Sequence, residues 1–177
     1  LERSQLDEIE VLKSLLNPNA AEDREGIDPL QLSSMLSDKV DAMLEEVERS
    51  IYLLALDSRI IADLFWEEQI EHFEQNEPGK LGLRVRVHKG SLEIMYFRNA
   101  FTRNGGSKRR DGKAFYAKHI PRSGRYHYNS RDFNGAEAWE HELALTHEVD
   151  HARNRKLFNE LSKARRSLKA IKKALDK

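Results

Sequence analysis

The sequence has no cysteine. That excludes a disulfide framework and thiolate metal sites, and it fits a reducing, cytoplasmic setting. Glycine and proline are scarce outside one stretch. Eight of the nine glycines lie between Gly79 and Gly135, and neither Gly nor Pro occurs from Leu30 to Glu77 or from Ala136 to Lys177. Two long segments therefore carry no helix breaker. No apolar run reaches membrane-spanning length and no signal peptide is visible, so no membrane partner is expected. The chain opens on Leu rather than Met and reads as a trimmed piece. A phosphate loop, a dinucleotide fingerprint and a nucleophile elbow are all missing, so no cofactor, no catalytic residue and no enzymatic activity are expected.

Charge, by contrast, is abundant and segregated. The 30 basic and 30 acidic residues cancel overall. Residues 1–80 nevertheless hold 7 Lys/Arg against 20 Asp/Glu, residues 81–132 hold 13 against 3, and residues 153–177 hold 10 against 2. Such blocks suit a polyanion partner, or else mutual neutralisation within the fold. A hydrophobic content of 39% supports a modest core in 177 residues.

The fold expected is α+β, with long helices forming a helical hairpin or coiled coil around a small antiparallel sheet. Four segments divide it: an N-terminal helical segment and linker at 1–37, a long acidic helix at 38–77, a basic β insert at 78–133, and a long helix at 134–177 packing on 38–77. In the first long helix Val40, Leu44, Val47, Ile51, Leu54, Ser58, Ile61 and Phe65 recur at spacings of four and three, a heptad seam. Asp28-Pro29 ahead of it has the order of an N-cap and first helical position. A shorter amphipathic segment runs from Leu6 to Leu16. The last helix is expected to start near Asn134, with Asn134 and Glu137 as a capping box. Its apolar stripe, Trp139, Leu143, Leu157, Leu161, Ala164, Leu168, Ile171 and Leu175, would face the first helix in an antiparallel pair.

The insert opens with LRVRVHKGSLEIMYFR, residues 83–98. Lys89-Gly90 fits a two-residue turn. That register pairs Val87 with Leu92, Val85 with Ile94 and Leu83 with Tyr96, and sets Arg86 opposite Glu93. KAFYAKHI, 113–120, alternates as a third strand, and RYHY, 125–128, as a fourth.

One stretch, His147-Glu148-Val149-Asp150-His151, spells the H-E-x-x-H of zinc proteases. Two imidazoles four apart can share a Zn²⁺ while the Glu deprotonates its water. A third ligand is not in reach: nothing after Gly135 breaks the helix, Glu160 lies roughly 20 Å along it, and Asn154 and Leu157 replace the Gly and His of the extended motif. The reading preferred is two partly exposed histidines beside the apolar stripe, with no metal site. A zinc-dependent hydrolase using HEVDH remains as the rival.

The basic insert carries the stronger signal. Phosphates call for Lys, Arg and exposed backbone N–H groups, which glycine makes accessible. Arg84, Arg86, Lys89, Arg103, Lys108, Arg109, Arg110, Lys113, Lys118, Arg122 and Arg125 are the expected contacts to double-stranded DNA. The seam offers a homodimer contact, which would match two half-sites. A second alternative is a non-catalytic interaction module that docks its basic surface on an acidic protein. Most insert aromatics are expected to build the sheet and core rather than stack on bases.

The runs LEIMYFRNAFTR, GKAFYAKHIPR, YHYNSRDF, AWEHEL and HEVDHARNRK, over about residues 83–160, resemble the MobI-like auxiliary mobilisation proteins of conjugative plasmids and integrative elements. The resemblance implies a relaxosome accessory protein that binds origin-of-transfer DNA and assists a relaxase, without metal or nucleotide.

Overall fold

The computed structural model describes residues 2–19, 22–101, 107–108 and 114–176. Three α-helices frame it: α1 (Glu2–Leu15), α2 (Pro29–Glu74) and α3 (Ala138–Leu175). Between α2 and α3 lie β1 (Leu81–His88), β2 (Ser91–Phe101), β3 (Ser107–Lys108) and β4 (Ala114–His119), in one antiparallel sheet of order β1-β2-β4-β3.

Helix α2 starts where the capping signal lies. The Asp28 carboxylate accepts from the Leu30 amide at 2.9 Å, and Pro29 fills the first turn, where no amide partner exists. The helix is thus continuous from Pro29, ahead of Asp38 where the heptad seam suggests a start. Along the seam Val40, Ile51, Ser58 and Phe65 are buried, and Leu44, Val47, Leu54 and Ile61 half-buried. Helices α2 and α3 run antiparallel. Gln69 bonds Glu140, His147 meets Glu68, Asn154 meets Asp57, Arg165 meets Glu48 and Lys172 meets Asp41. With Arg153 and Asp57, these pairs set three cations of α3 against carboxylates of α2.

The hairpin forms in the expected register: Val87↔Leu92, Val85↔Ile94, Leu83↔Tyr96 and Arg86↔Glu93. Lys89 and Gly90 both take positive φ, 49° and 72°, the demand of a tight two-residue hairpin turn. Leu81, Leu83, Ile94 and Tyr96 pack on Phe65 and Ala62 of α2 and on Leu143 and Ala144 of α3. Tyr96 is fully buried, lies edge-on to Phe65, Tyr128 and Phe133, and donates its hydroxyl to the Ala144 carbonyl at 3.1 Å.

Three expectations fail here. The last helix begins at Ala138, not Asn134. Gly135 sits at φ 83°, outside the helical region, so Glu140 reaches back to the Glu137 amide instead. Residues 125–128 form no strand. The Tyr126 carbonyl accepts from Arg155 at 2.8 Å and the Tyr128 amide donates to Glu148 at 2.7 Å, so side chains of α3 replace a ladder. And the inward face of α3 is only partly the apolar stripe. Leu143 is buried and Trp139, Leu161, Leu168 and Leu175 are half-buried, but Leu157, Ala164 and Ile171 are exposed, while Glu140, Ala144, Glu148, His151, Asn154 and Arg155 are buried.

The buried polar groups of α3 tie it to the rest. Glu140 accepts from the Lys80 and Leu81 amides, both at 2.6 Å, and holds the start of β1. A Cβ at Gly79 would stand 2.3 Å from that carboxylate, so only glycine admits this approach. Glu148 and Arg155, each 5% exposed, pair at 2.7 Å. Arg155 also donates to the Ile94 carbonyl at 3.2 Å. The clamp thus satisfies three backbone groups as well as its own charges. Arg155→Met should cost about 3–5 kcal/mol in urea denaturation, because Glu148 is left charged and buried. Unlike a simple ion pair, the Glu148→Met/Arg155→Met double variant should stay well below wild type, since Ile94, Tyr126 and Tyr128 lose their partners.

Candidate nucleic-acid interface

The geometry of the HEVDH segment is that of an interior contact. His151 is 0% exposed rather than partly exposed, and the His147 side chain is 11% exposed. The cause is the orientation of α3, which turns this face onto the sheet. Glu148, the base in the hydrolase reading, is engaged by Arg155 and the Tyr128 amide. Burial pushes its carboxyl above the usual range, against the pull of Arg155. His147 lies 3.3 Å from Glu68. Among the described residues no group of three His, Asp or Glu is arranged to hold a metal ion.

Alternation along the sheet sorts the cations. Arg84 and Arg86 share the face turned away from the helices, because Leu83 and Val85 turn inward. Arg84 lies 5.5 Å from the Phe97 ring centroid, a cation–π arrangement. Arg86 donates to Glu93 at 2.6 Å, and this bond holds the Glu93 carboxyl below its ordinary range. By register His119, opposite Phe97, belongs to the same face. Lys118 faces the other way and is exposed there. Lys89 is exposed at the hairpin tip.

Arg122 and Arg125 follow β4, in the segment that Arg155 and Glu148 pin down. Arg122 donates to the Gly124 carbonyl at 3.1 Å and lies 5.9 Å from the Tyr128 ring centroid. Burial, then the nearby Arg155, draws its pKa down. Arg125 covers Tyr126 at 5.1 Å. Both line an open cleft of about 460 Å³ with Glu93, Met95, Tyr126 and Arg155. Glu93 and Met95 also lie opposite Arg86 and Arg84. The outer sheet face and the cleft therefore meet along β2, and four of the expected contacts, Arg84, Arg86, Arg122 and Arg125, border one surface. Lys118 lies off it. The backbone of Lys108 is in β3. Arg103, Arg109, Arg110 and Lys113 lie outside the described residues. Among the described residues Arg84, Lys89, Lys118, Arg122 and Arg125 make no ion pair, unlike Arg153, Arg165 and Lys172 of α3.

The clamp and the cleft were hidden in the sequence. Glu148 and Arg155 are seven apart, two helical turns on one face, and that spacing was the available signal.

The structure defines an α+β protein in which a helical hairpin presents an antiparallel basic sheet. The sequence matches the family described as MobI protein over residues 54–169, and the chain belongs to this family of mobilisation-related accessory proteins. The match takes in the second half of α2 as well as the sheet and most of α3. No curated protein and no solved structure matches the chain. No described helix is long and apolar enough to cross a membrane.

His151 provides a test of this burial. Desolvation, then the charges of Arg155 and His147, pushes its pKa down to about 3, against about 6.5 unfolded. The unfolded chain then binds the extra proton, so stability is complete above about pH 6.5 and falls as pH drops. Relative to His151→Leu, wild type should lose about 2 kcal/mol between about pH 7 and pH 5 in chemical denaturation.

Proposed function

We propose that this chain binds double-stranded DNA at an origin of transfer and assists relaxase recruitment or assembly there. One observation carries the reading: Arg84, Arg86, Arg122 and Arg125 border a single open surface over β2, and Glu93 is the carboxylate lining it. Family membership supplies the mobilisation setting.

The physical logic is electrostatic. A polyanion gains most from cations that no protein carboxylate already neutralises. Asp41, Glu48 and Asp57 of α2 meet cations of α3, while Glu140 and Glu148 of α3 hold amides and Arg155. The sheet cations remain available. Arg103, Lys108, Arg109, Arg110 and Lys113, between β2 and β4 in the sequence, extend the same basic run. An antiparallel ribbon of this width suits a major groove, and an Arg-rich loop suits phosphates or a minor groove. Lys89 and Lys118 serve as flanking phosphate contacts.

Fluorescence anisotropy with origin-of-transfer duplexes and unrelated duplexes of equal length tests this. The logarithm of the binding constant should fall steeply with the logarithm of salt. Arg109→Ala/Arg110→Ala should flatten that slope by about one to two units. Glu93→Gln, which removes the carboxylate and frees Arg86, should tighten binding at fixed salt. No detectable binding of any duplex at low salt would sink the proposal.

A further inference from the structure

The face of α2 opposite its buried residues carries an apolar row that stays about half exposed, although Leu53 also borders a cleft with Leu157, Leu161 and Ala164 of α3. Leu53, Leu56, Ile60 and Leu64 are 48–61% exposed. They recur at spacings of three and four, so they share one helical face. The buried residues of α2, among them Ile51, Ser58, Ala62 and Phe65, lie on the opposite side. A contiguous row of large aliphatic side chains is unusual on a monomer surface. Arg49 stands one turn before the row and Glu67 one turn after it.

We infer that this face is the contact of an antiparallel homodimer, with a second copy of the chain as the occupant. The argument is the row's self-complementarity. A two-fold contact requires that if residue i meets residue j, then j meets i. Turning a second α2 antiparallel about the level of Ser58 brings Leu56 to Ile60 of the other copy and Leu53 to its Leu64. It also brings Arg49 to its Glu67. Each pairing occurs twice by symmetry, so the apolar centre is closed at both ends by opposite charges. An unrelated partner imposes no such reversal symmetry on the sequence. The contact spans about 27 Å of helix at ~1.5 Å per residue.

Nothing in the fold opposes it. Arg49 pairs with Glu46 one turn earlier, but those side chains are 62% and 66% exposed, and such pairs exchange readily. The sheet packs on the buried side of α2, at Ala62 and Phe65, so the basic surfaces of both copies stay open. The inference does not depend on DNA binding, and its test is run without DNA.

Sedimentation velocity on the full chain should give twice the chain mass of 20.6 kDa. Leu56→Asp/Ile60→Asp should give the single-chain mass with the same helical circular dichroism. Arg49→Glu should weaken the dimer by about tenfold or more, and Arg49→Glu/Glu67→Arg should restore it, a rescue that rules out misfolding as the cause. Because the chain has no cysteine, a mixture of Leu56→Cys and Ile60→Cys proteins should form a disulfide-linked heterodimer on mild oxidation, more readily than either protein alone. A wild-type chain that sediments as a monomer overturns the inference. So does a dimer untouched by the Asp pair but lost in Leu32→Asp/Leu36→Asp, which would place the contact at the start of α2. Cross-linking of Leu56→Cys mainly to itself overturns the antiparallel register.

Discussion

The clamp between Glu148 and Arg155 is the interaction on which the described architecture turns. Two opposite charges in an interior carry a desolvation cost that their mutual attraction alone does not reliably offset. Here the remaining hydrogen-bonding capacity is also used. Arg155 reaches the carbonyls of Ile94 and Tyr126, and Glu148 takes the Tyr128 amide. Helix α3, strand β2 and the segment after β4 are thereby fixed to one another at a single point. That segment has no ladder partner of its own at residues 125–128, so its path depends on the pair. It carries Arg122 and Arg125 to the edge of β2.

A division of labour between charges follows. Two carboxylates of α3 point inward: Glu140 onto the first amides of β1, Glu148 onto Arg155. The carboxylates of α2 meet the cations of α3, as in Glu48 with Arg165 and Asp41 with Lys172. The overall charge balance of zero thus hides an acidic α2, a basic α3 and a basic sheet segment. After the sheet, Asp132 accepts from Ser123 and Asn129 rather than from an arginine, and on the sheet Glu93 answers Arg86. Arg84, Lys89, Arg122 and Arg125 thus stand without a carboxylate partner among the described residues, whereas Asp41, Glu48 and Asp57 are paired with α3.

What was legible in the sequence was what simple periodicity reports. The hairpin register followed from alternation and a Lys-Gly turn, and the α2 seam followed from apolar residues at heptad spacing. The α2 N-terminus was visible in Asp28-Pro29. The inward face of α3 was not legible, because hydrophobic periodicity cannot see a stripe made of Glu140, Glu148, His151, Asn154 and Arg155. The apolar residues it does see, Leu157 and Ile171, are nearly half exposed. The expected strand at 125–128 failed for a related reason: alternation is compatible with any extended backbone, and only Arg155 and Glu148 decide how its polar groups are satisfied. Of the candidate contacts, periodicity named the residues but not the faces, which separates Lys118 from Arg84 and Arg86.

The zinc-protease letters show why a motif must be weighed by its surroundings. Spacing of i and i+4 puts His147 and His151 on one side of a helix whatever that side faces. In a hydrolase it faces a water-filled cleft. Here it faces Tyr96 and Phe65, with ring centroids 6.4 Å from His151 and 6.0 Å from His147 respectively. The His151 imidazole is driven neutral by lost hydration. The intervening Glu148, which in a protease must hold a proton in transit, is instead bonded to a guanidinium and an amide on which the path of the chain depends. Of the motif, Glu148 fixes the segment after β4 through Arg155 and the Tyr128 amide, while His147 and His151 pack against interior aromatic rings, so the five letters serve the scaffold.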